Sequence, residues 1–279
     1  VSGHPAHVGH VQEERRRQMK PARALRHVWL ALALLGSFAL TAQAEKLPRT
    51  EQGNVLFVFL SGPVVGQGQV QVSTGDIVWE DRIIPALWVE LQGPTPVVKQ
   101  PVRGAALKPG TALFGVELST GWAYCAPYDP DRAVRRAQCL RDLNDDGNFE
   151  GVYVGEARGG KSRYLPAILR ALQGMNTPPP YTRLEPNPDW AVPAKVTFAG
   201  WRETVPTFFV WIEDERIDTP LACEIHPTDP GRCRVLGVEM NFAPADEDLL
   251  LEVTRVAASR SFETRTFGIT RLKRNMDWE

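Results

Sequence analysis

Short apolar runs separated by Gly and Pro occupy most of the chain from residue 55 onward. Residues 55–60 are continuously apolar and rich in Val and Phe, whereas residues 68–73 alternate polar and apolar positions. A period of two is typical of a half-buried strand. Further runs with strand character lie at 77–79, 87–91, 111–118, 151–155, 195–198, 207–212, 234–238, 249–256 and 262–272. Many short strands with turn signals between them predict a mainly β, antiparallel, sandwich-type fold.

One segment has helical rather than strand spacing. Residues 165–173 carry Pro166 in what would be the first turn, and Gly174 can end the segment. The apolar stripe consists of Leu165, Ile168, Leu169 and Leu172. We therefore expect one short helix here, with the stripe packed on the core.

A proline-rich stretch divides the apolar runs into two series. Residues 176–180 read Asn-Thr-Pro-Pro-Pro, and three successive prolines cannot donate backbone hydrogen bonds. We expect an extended connector, although a polyproline ligand for a partner is an alternative. The division predicts one β domain at 45–175 and, at 181–279, a second β domain or the second half of one sandwich.

The N-terminal region has the order of a secretory signal. Residues 19–44 begin with Met19, continue with a basic segment and the apolar run 28–40, and end in Ala-Gln-Ala before Glu45. Residues 1–18 then form an upstream extension that we expect to be non-native. A membrane anchor is the alternative, but the apolar run is shorter than the roughly 20 residues that span a bilayer. We expect a periplasmic or secreted protein with no stable membrane anchor after cleavage.

The composition after residue 44 restricts the possible chemistry. This part has 26 Lys and Arg against 31 Asp and Glu, a net charge of −5. Nucleic-acid binding, which needs a concentrated positive surface, is not expected. His226 is the one histidine after residue 44, so a zinc site built from several histidines in this part of the chain is excluded.

Four cysteines, at 125, 139, 223 and 233, can pair in three ways. We favour Cys125–Cys139 and Cys223–Cys233, because each pair encloses a short Pro- and Asp-containing excursion. Closing a loop of about 15 residues contributes roughly 3 kcal/mol in the chain-entropy model. Metal binding and free thiols remain alternatives, although neither pair has C-x-x-C spacing.

Residues 142–150 read Asp-Leu-Asn-Asp-Asp-Gly-Asn-Phe-Glu, with oxygen-bearing side chains at positions one, three, five and nine and Gly at six. Such spacing turns alternate side chains toward one point, and the glycine permits the sharp bend. The segment resembles the DxDxDG calcium loops of EF-hands, dockerins and FG-GAP repeats. An Asx-rich turn without an ion is the alternative.

The resemblance implies a role for each residue of the loop. Calcium would be bound by side-chain oxygens of Asp142, Asn144 and Asp146, by the backbone carbonyl of Asn148 and by Glu150, directly or through water. Asp145 would point away and Phe149 would anchor the loop, while Asp129 or Asp131 could add oxygens. Tyr153 replaces the position-twelve Glu of an EF-hand, so the FG-GAP-like form, which runs into a strand, fits better. We expect a structural ion.

The sequence has fewer features of an enzyme than of a calcium-binding loop. Glu224 and His226 form the local His–carboxylate pair, and no G-x-S-x-G, H-E-x-x-H or phosphate-loop pattern occurs. The tryptophans could stack on sugars or fill the core. The leading hypothesis is an exported, non-catalytic β-rich binding or structural protein whose partner is an unknown ligand or envelope component. The alternative is an exported hydrolase that acts on a glycan or another polymer through paired carboxylates.

Overall fold

Alternating burial of side chains defines the strands of this protein. In residues 55–59, for example, Val55, Phe57 and Phe59 are buried and the two residues between them are half-buried. The computed structural model describes residues 50–95, 106–128, 136–156, 162–164, 168–217, 219–265 and 268–272. The proposed upstream extension and signal peptide lie outside these ranges.

Twenty-one strands are found within the described residues. The first eleven are β1 (Thr50–Glu51), β2 (Val55–Phe59), β3 (Val70–Val72), β4 (Ile77–Pro85), β5 (Trp88–Leu91), β6 (Ala112–Leu118), β7 (Gly121–Cys125), β8 (Arg136–Arg141), β9 (Gly151–Glu156), β10 (Ile168–Gly174) and β11 (Tyr181–Leu184). A single 3₁₀ turn, Pro188–Trp190, follows. The others are β12 (Val192–Arg202), β13 (Val205–Ile212), β14 (Glu215–Arg216), β15 (Leu221–Ala222), β16 (Glu224–His226), β17 (Asp229–Val235), β18 (Val238–Ala245), β19 (Asp248–Val256), β20 (Ser261–Arg265) and β21 (Gly268–Leu272).

The strands form three antiparallel sheets in a sandwich-like arrangement, which confirms the predicted fold class. Sheet A has the order β1-β10-β9-β8-β7-β6-β5-β11. Sheet B has the order β14-β13-β12-β4-β2-β20-β21, with β15 also paired to β13, and sheet C has the order β16-β17-β18-β19-β3. Each sheet combines strands from before and after residues 176–180, so the proline-rich connector joins strands of shared sheets.

Sheet A contributes buried apolar residues to two separate clusters. One face contributes to a large apolar cluster that also includes residues of sheets B and C; its members from sheet A include Trp88, Phe114, Cys125, Cys139 and Tyr153. The opposite face carries a smaller cluster formed by Val89, Leu91, Leu113, Tyr124, Leu140, Phe149, Val152 and Met175. This smaller cluster supports the loop at residues 142–150, because Phe149 belongs to both.

The helix predicted at 165–173 is wrong where the structure describes it, because Ile168–Gly174 is strand β10. A β-bulge between Arg170 and Gln173 shifts the pairing of β10 with β9. Leu169 and Leu172, which would face opposite sides of a regular strand, consequently both pack against the large cluster. The bulge therefore reproduces the i, i+3 spacing of a helical stripe.

The strand predicted at 234–238 is also wrong, because a turn interrupts it. Leu236 and Gly237 have positive φ angles of 51° and 70°, and they separate β17 from β18, which pair through Val235 and Val238. Positive φ at both central residues is the requirement of a tight hairpin turn. The apolar Leu236 conceals this turn in the sequence pattern.

Both favoured disulfides are present, Cys125–Cys139 and Cys223–Cys233. Cys125 and Cys139 lie directly opposite each other on β7 and β8. The second disulfide joins β17 to the residue before β16. Two disulfides are typical of a protein that folds in an oxidising compartment.

Candidate metal-binding loop

The candidate loop connects β8 to β9 as the end of a hairpin. Arg141 and Gly151 are paired at its neck, so Asp142 and Glu150, which follow and precede them, begin and end the loop at neighbouring positions. The bend predicted at the sixth position is present, since Gly147 has a φ of 87°. The first and ninth positions are thereby brought together by the sheet itself.

Three carboxylates of the loop converge. One oxygen each from Asp142, Asp146 and Glu150 lie within 4.8 Å of one another. Asp142 is buried, Glu150 half-buried and Asp146 exposed. Three negative charges so close together repel one another, and a bound cation would offset this repulsion. The loop therefore contains an acidic group that can hold a metal ion, and no other such group was found among the described residues.

Asp142 organises the backbone of the loop. Its Oδ1 accepts hydrogen bonds from the backbone N–H groups of Asn144 at 3.2 Å and Asp146 at 3.3 Å. Its Oδ2 accepts from the N–H of Gly147 at 2.8 Å and from the hydroxyl of Tyr181 at 3.0 Å. Burial and the hydrogen bond to Asp142 raise the pKa of Tyr181, so this hydroxyl remains a donor at neutral pH.

The two asparagines predicted to be ligands, Asn144 and Asn148, contact Asp146. Asn148 donates to Asp146 Oδ1 from its backbone N–H and from its side chain, each at 2.9 Å, and Asn144 Nδ2 donates to Oδ2 at 3.1 Å. The side-chain bond from Asn148 is the main cause that holds the pKa of Asp146 below its ordinary value. These contacts are those of an Asx-rich turn. The turn and the acidic triad thus occur together, and the two interpretations of the sequence are compatible.

The remaining loop residues occupy different environments. Glu150 Oε2 accepts from the backbone N–H of Leu143 at 2.8 Å. Asp145 is exposed, has a φ of 57° and is not a member of the triad. Asp129 and Asp131, considered as additional ligands, lie outside the described residues.

An aromatic platform holds the loop against sheet A. Phe149 is fully buried and stacks on Tyr181, with ring centroids 4.3 Å apart and an interplanar angle of 15°. Tyr124 packs on both rings, at 5.7 Å from Phe149 and 5.4 Å from Tyr181. Phe149 therefore packs beneath the loop where the resemblance placed an anchor. Sequence reasoning missed the two tyrosines, because nothing local connects Tyr181 to an acid 39 residues away.

The proline-rich connector also contacts the loop. Phe149 N–H donates to the carbonyl of Pro179 at 3.0 Å, and Tyr181 N–H donates to the carbonyl of Gly147 at 3.1 Å. Asn148 and Pro180 form a β-bridge between these two bonds. Residues 176–180 thus carry Tyr181 to Asp142 and limit the movement of the loop.

Behind the loop lies a buried ion pair. Arg141, the residue before Asp142, contacts Glu51 of β1 with its Nη1 3.1 Å from Oε1. Glu51 Oε1 also accepts from the hydroxyl of Tyr153 at 2.8 Å, and Thr120 Oγ1 donates to Oε2 at 2.8 Å. This network ties the first described strand to the base of the loop hairpin. The partners of Glu51 lie 69 to 102 residues from it in the chain, so no local sequence motif indicates the network.

The candidate His–carboxylate pair, Glu224 and His226, lies on strand β16. Glu224 Oε2 is 3.1 Å from Arg234 Nη2. His226 Nδ1 lies 3.3 Å from both the backbone nitrogen and the hydroxyl of Thr228, which is a local turn arrangement. These contacts place Glu224 beside an arginine and His226 in a turn.

A surface cavity of about 580 Å³, here called the turn cleft, lies beside the hairpin turns β12–β13 and β18–β19. Its walls include two half-buried rings, Trp201 and Phe242, whose centroids are 6.2 Å apart. The complete lining is Trp201, Glu203, Thr204, Pro230, Gly231, Phe242, Ala243, Pro244 and Asp246. Trp201 therefore lies in a concave surface, whereas Trp79 and Trp88 are buried.

The fold and the loop define an antiparallel β-sheet protein with two disulfides and an acidic group suited to a metal ion. No protein-family model, curated protein or solved structure matches the chain. Within the described residues, no helix has the length and apolar character needed to cross a membrane.

Proposed function

We propose that this chain is an exported, non-catalytic protein of the cell envelope or extracellular space that serves as a binding or structural module and is stabilised by calcium at residues 142–150. The acidic triad carries this proposal, because three carboxylates from positions one, five and nine approach one point. Hard oxygen ligands without octahedral spacing suit Ca²⁺ better than Mg²⁺, which requires a stricter octahedron.

Export is supported by the chemistry of the whole chain. The signal-like segment 19–44 precedes the four cysteines, and the structure pairs all four. Extracellular calcium varies little, so the ion would stabilise the fold and would not act as a switch. With Asn at one position and no acid at position twelve, we expect a Kd of about 10⁻⁴ to 10⁻³ M, as in extracellular modules.

Direct calcium titration tests the metal assignment. Isothermal titration calorimetry of the oxidised protein should show one site per chain, with weaker binding of Mg²⁺. Asp146→Asn removes one charge from the triad and should weaken calcium binding about tenfold or more. Asp145→Asn is the matched control, because Asp145 is an exposed neighbour outside the triad and Asn tolerates its positive φ. Equal effects of the two substitutions would contradict the assignment.

The turn cleft is the observation that favours a hydrolase, since Glu203 and Asp246 both line it. Both side chains are exposed on hairpin turns, whereas a catalytic carboxylic acid is usually kept protonated by an apolar, partly buried site. A binding role therefore fits the cleft better. Hydrolysis of a glycan that is lost in both Glu203→Gln and Asp246→Asn would support the enzyme instead.

A further inference from the structure

The polar groups of the turn cleft have an unusual chemical bias. Its ionisable lining consists of the carboxylates of Glu203 and Asp246, and no Lys, Arg, His, Asn or Gln is among the lining residues that the structure describes. An ionised carboxylate only accepts hydrogen bonds. Thr204 provides the one other polar side chain besides the indole of Trp201. An anionic ligand, such as a phosphate or a carboxylate, would be repelled by these two carboxylates.

The apolar part of the cleft favours the same ligand class. Trp201 packs edge-to-face on Phe198 at 5.8 Å and lies near Phe242, so core packing supports both cleft rings. Aromatic faces attract cations, and the protein already places Arg216 4.5 Å from the ring centre of Phe209. The turn cleft therefore offers a cation with carbon groups both aromatic rings and carboxylates in one lining.

Two arginines and two acidic residues lie next to lining residues in the sequence. Arg232 of β17 contacts the buried carboxylate of Glu239. Arg202 precedes Glu203 but does not line the cavity. Asp229 and Glu247, next to lining residues in the sequence, add negative charge to the surroundings.

We infer that the turn cleft binds an organic cation, an alkylammonium or guanidinium group on an apolar stem. Ammonium and guanidinium groups donate hydrogen bonds and accept none, which complements the carboxylates. A cavity of about 580 Å³ lies within the usual 300–1,000 Å³ range of small-ligand sites. A neutral sugar would gain no charge–charge attraction from the two carboxylates. The cleft shares no residue with the calcium loop, so each site can fail without the other.

Calorimetric titration with two probes tests this inference. Cadaverine represents a free amine, and the peptide acetyl-Pro-Lys-Pro-amide represents a lysine side chain of a polypeptide. Saturable binding of at least one probe is expected, and the tighter probe identifies the source of the cation. The peptide acetylated on its lysine is the neutral control and should not bind. Binding should weaken at about 0.5 M salt, where charges are screened within about 4 Å.

Substitutions then locate the site. The double change Glu203→Gln with Asp246→Asn should reduce affinity at least about tenfold. Glu247→Gln removes an exposed charge from the same turn without altering the lining and should leave affinity unchanged. Melting curves establish that each variant folds. Absence of saturable binding of both cations, equal binding of the acetylated peptide, or equal loss in Glu247→Gln would overturn the inference.

Discussion

Asp142 connects three separate parts of the chain through one carboxylate. It accepts hydrogen bonds from its own loop, receives the hydroxyl of Tyr181 from β11, and directly follows Arg141 of the buried ion pair. Its burial contrasts with the exposure of Asp146. Within the triad, Asp142 is therefore buried and tied to Tyr181 of another strand, whereas Asp146 is exposed and bonded within the loop.

The buried pair of Arg141 and Glu51 gives a prediction about stability. Their side chains are 4% and 2% exposed, so Glu51→Ala should destabilise the protein by about 3–5 kcal/mol, because it leaves a buried charge unpaired. Arg163→Gln breaks the contact with Glu213, where the Arg side chain is 43% exposed, and should cost less than about 1 kcal/mol. Urea unfolding measures both changes. Similar losses for the two variants would contradict the importance of the buried pair.

The ionisation of Tyr153 predicts how the stability of the protein depends on pH. Burial, reinforced by the hydrogen bond to Glu51, raises the pKa of Tyr153 to about 12, from 10.0 in an unfolded chain. The folded state therefore retains a proton that the unfolded state loses. The resulting stabilisation is fully present below pH 10 and is lost as the pH rises toward 12.

Tyr153→Phe should lower the free energy of unfolding near pH 8, because the hydrogen bond to Glu51 is lost. Between pH 10 and 12, the free energy of unfolding should fall less steeply in the variant than in the original protein. Absorbance titration of tyrosinate should show one fewer late-ionising group in the variant. Tyr164 is the internal reference, since burial also raises its pKa to about 12. An unchanged titration curve would contradict the assignment.

At the scale of elements, the β7–β8–β9 region determines the shape of the loop. Cys125–Cys139 joins β7 to β8, and β8 leads directly into Asp142. The Cys223–Cys233 disulfide lies on β17 and the segment before β16. Of the two disulfides, Cys125–Cys139 is therefore the one on a strand that leads into the loop.

Replacing Cys125 and Cys139 together by Ser should cost about 2–5 kcal/mol of stability and also weaken calcium binding, because the strand beneath the loop is loosened. Replacing Cys223 and Cys233 should lower stability but leave calcium affinity unchanged. Unfolding curves and calcium titrations of both variants measure these effects. Equal calcium affinities would show that the first disulfide does not shape the loop.

At this scale, the sequence predicts features that depend on local spacing and misses those that depend on strand order. Residues 142–150 were identified because ligand spacing is local and a hairpin closes its ends. The strand at Ile168–Gly174 was mistaken for a helix because a bulge places Leu169 and Leu172 on one face. Glu51, Thr120 and Tyr181 were missed because their contacts depend on strand order, and strand order is a property of the whole fold.

At the scale of the molecule, the proposal of export has a direct consequence. Expressed in a bacterium, the protein should accumulate outside the cytoplasm with both disulfides formed. N-terminal sequencing of the mature protein should begin at Glu45 or a near neighbour, because small residues precede this position as signal peptidase requires. Cytoplasmic accumulation with residues 19–44 retained would contradict export.

Calcium-dependent melting of the oxidised protein is the measurement that tests the central claim most directly. An ion that binds only the folded state stabilises it by about 1.4 kcal/mol at roughly ten times its Kd, which corresponds to about 3–6 °C for a chain of this size. We predict this rise with several millimolar calcium relative to chelator, its persistence in Asp145→Asn and its loss in Asp146→Asn. An identical melting temperature with and without calcium would mean that residues 142–150 are a hydrogen-bonded turn and not a calcium site.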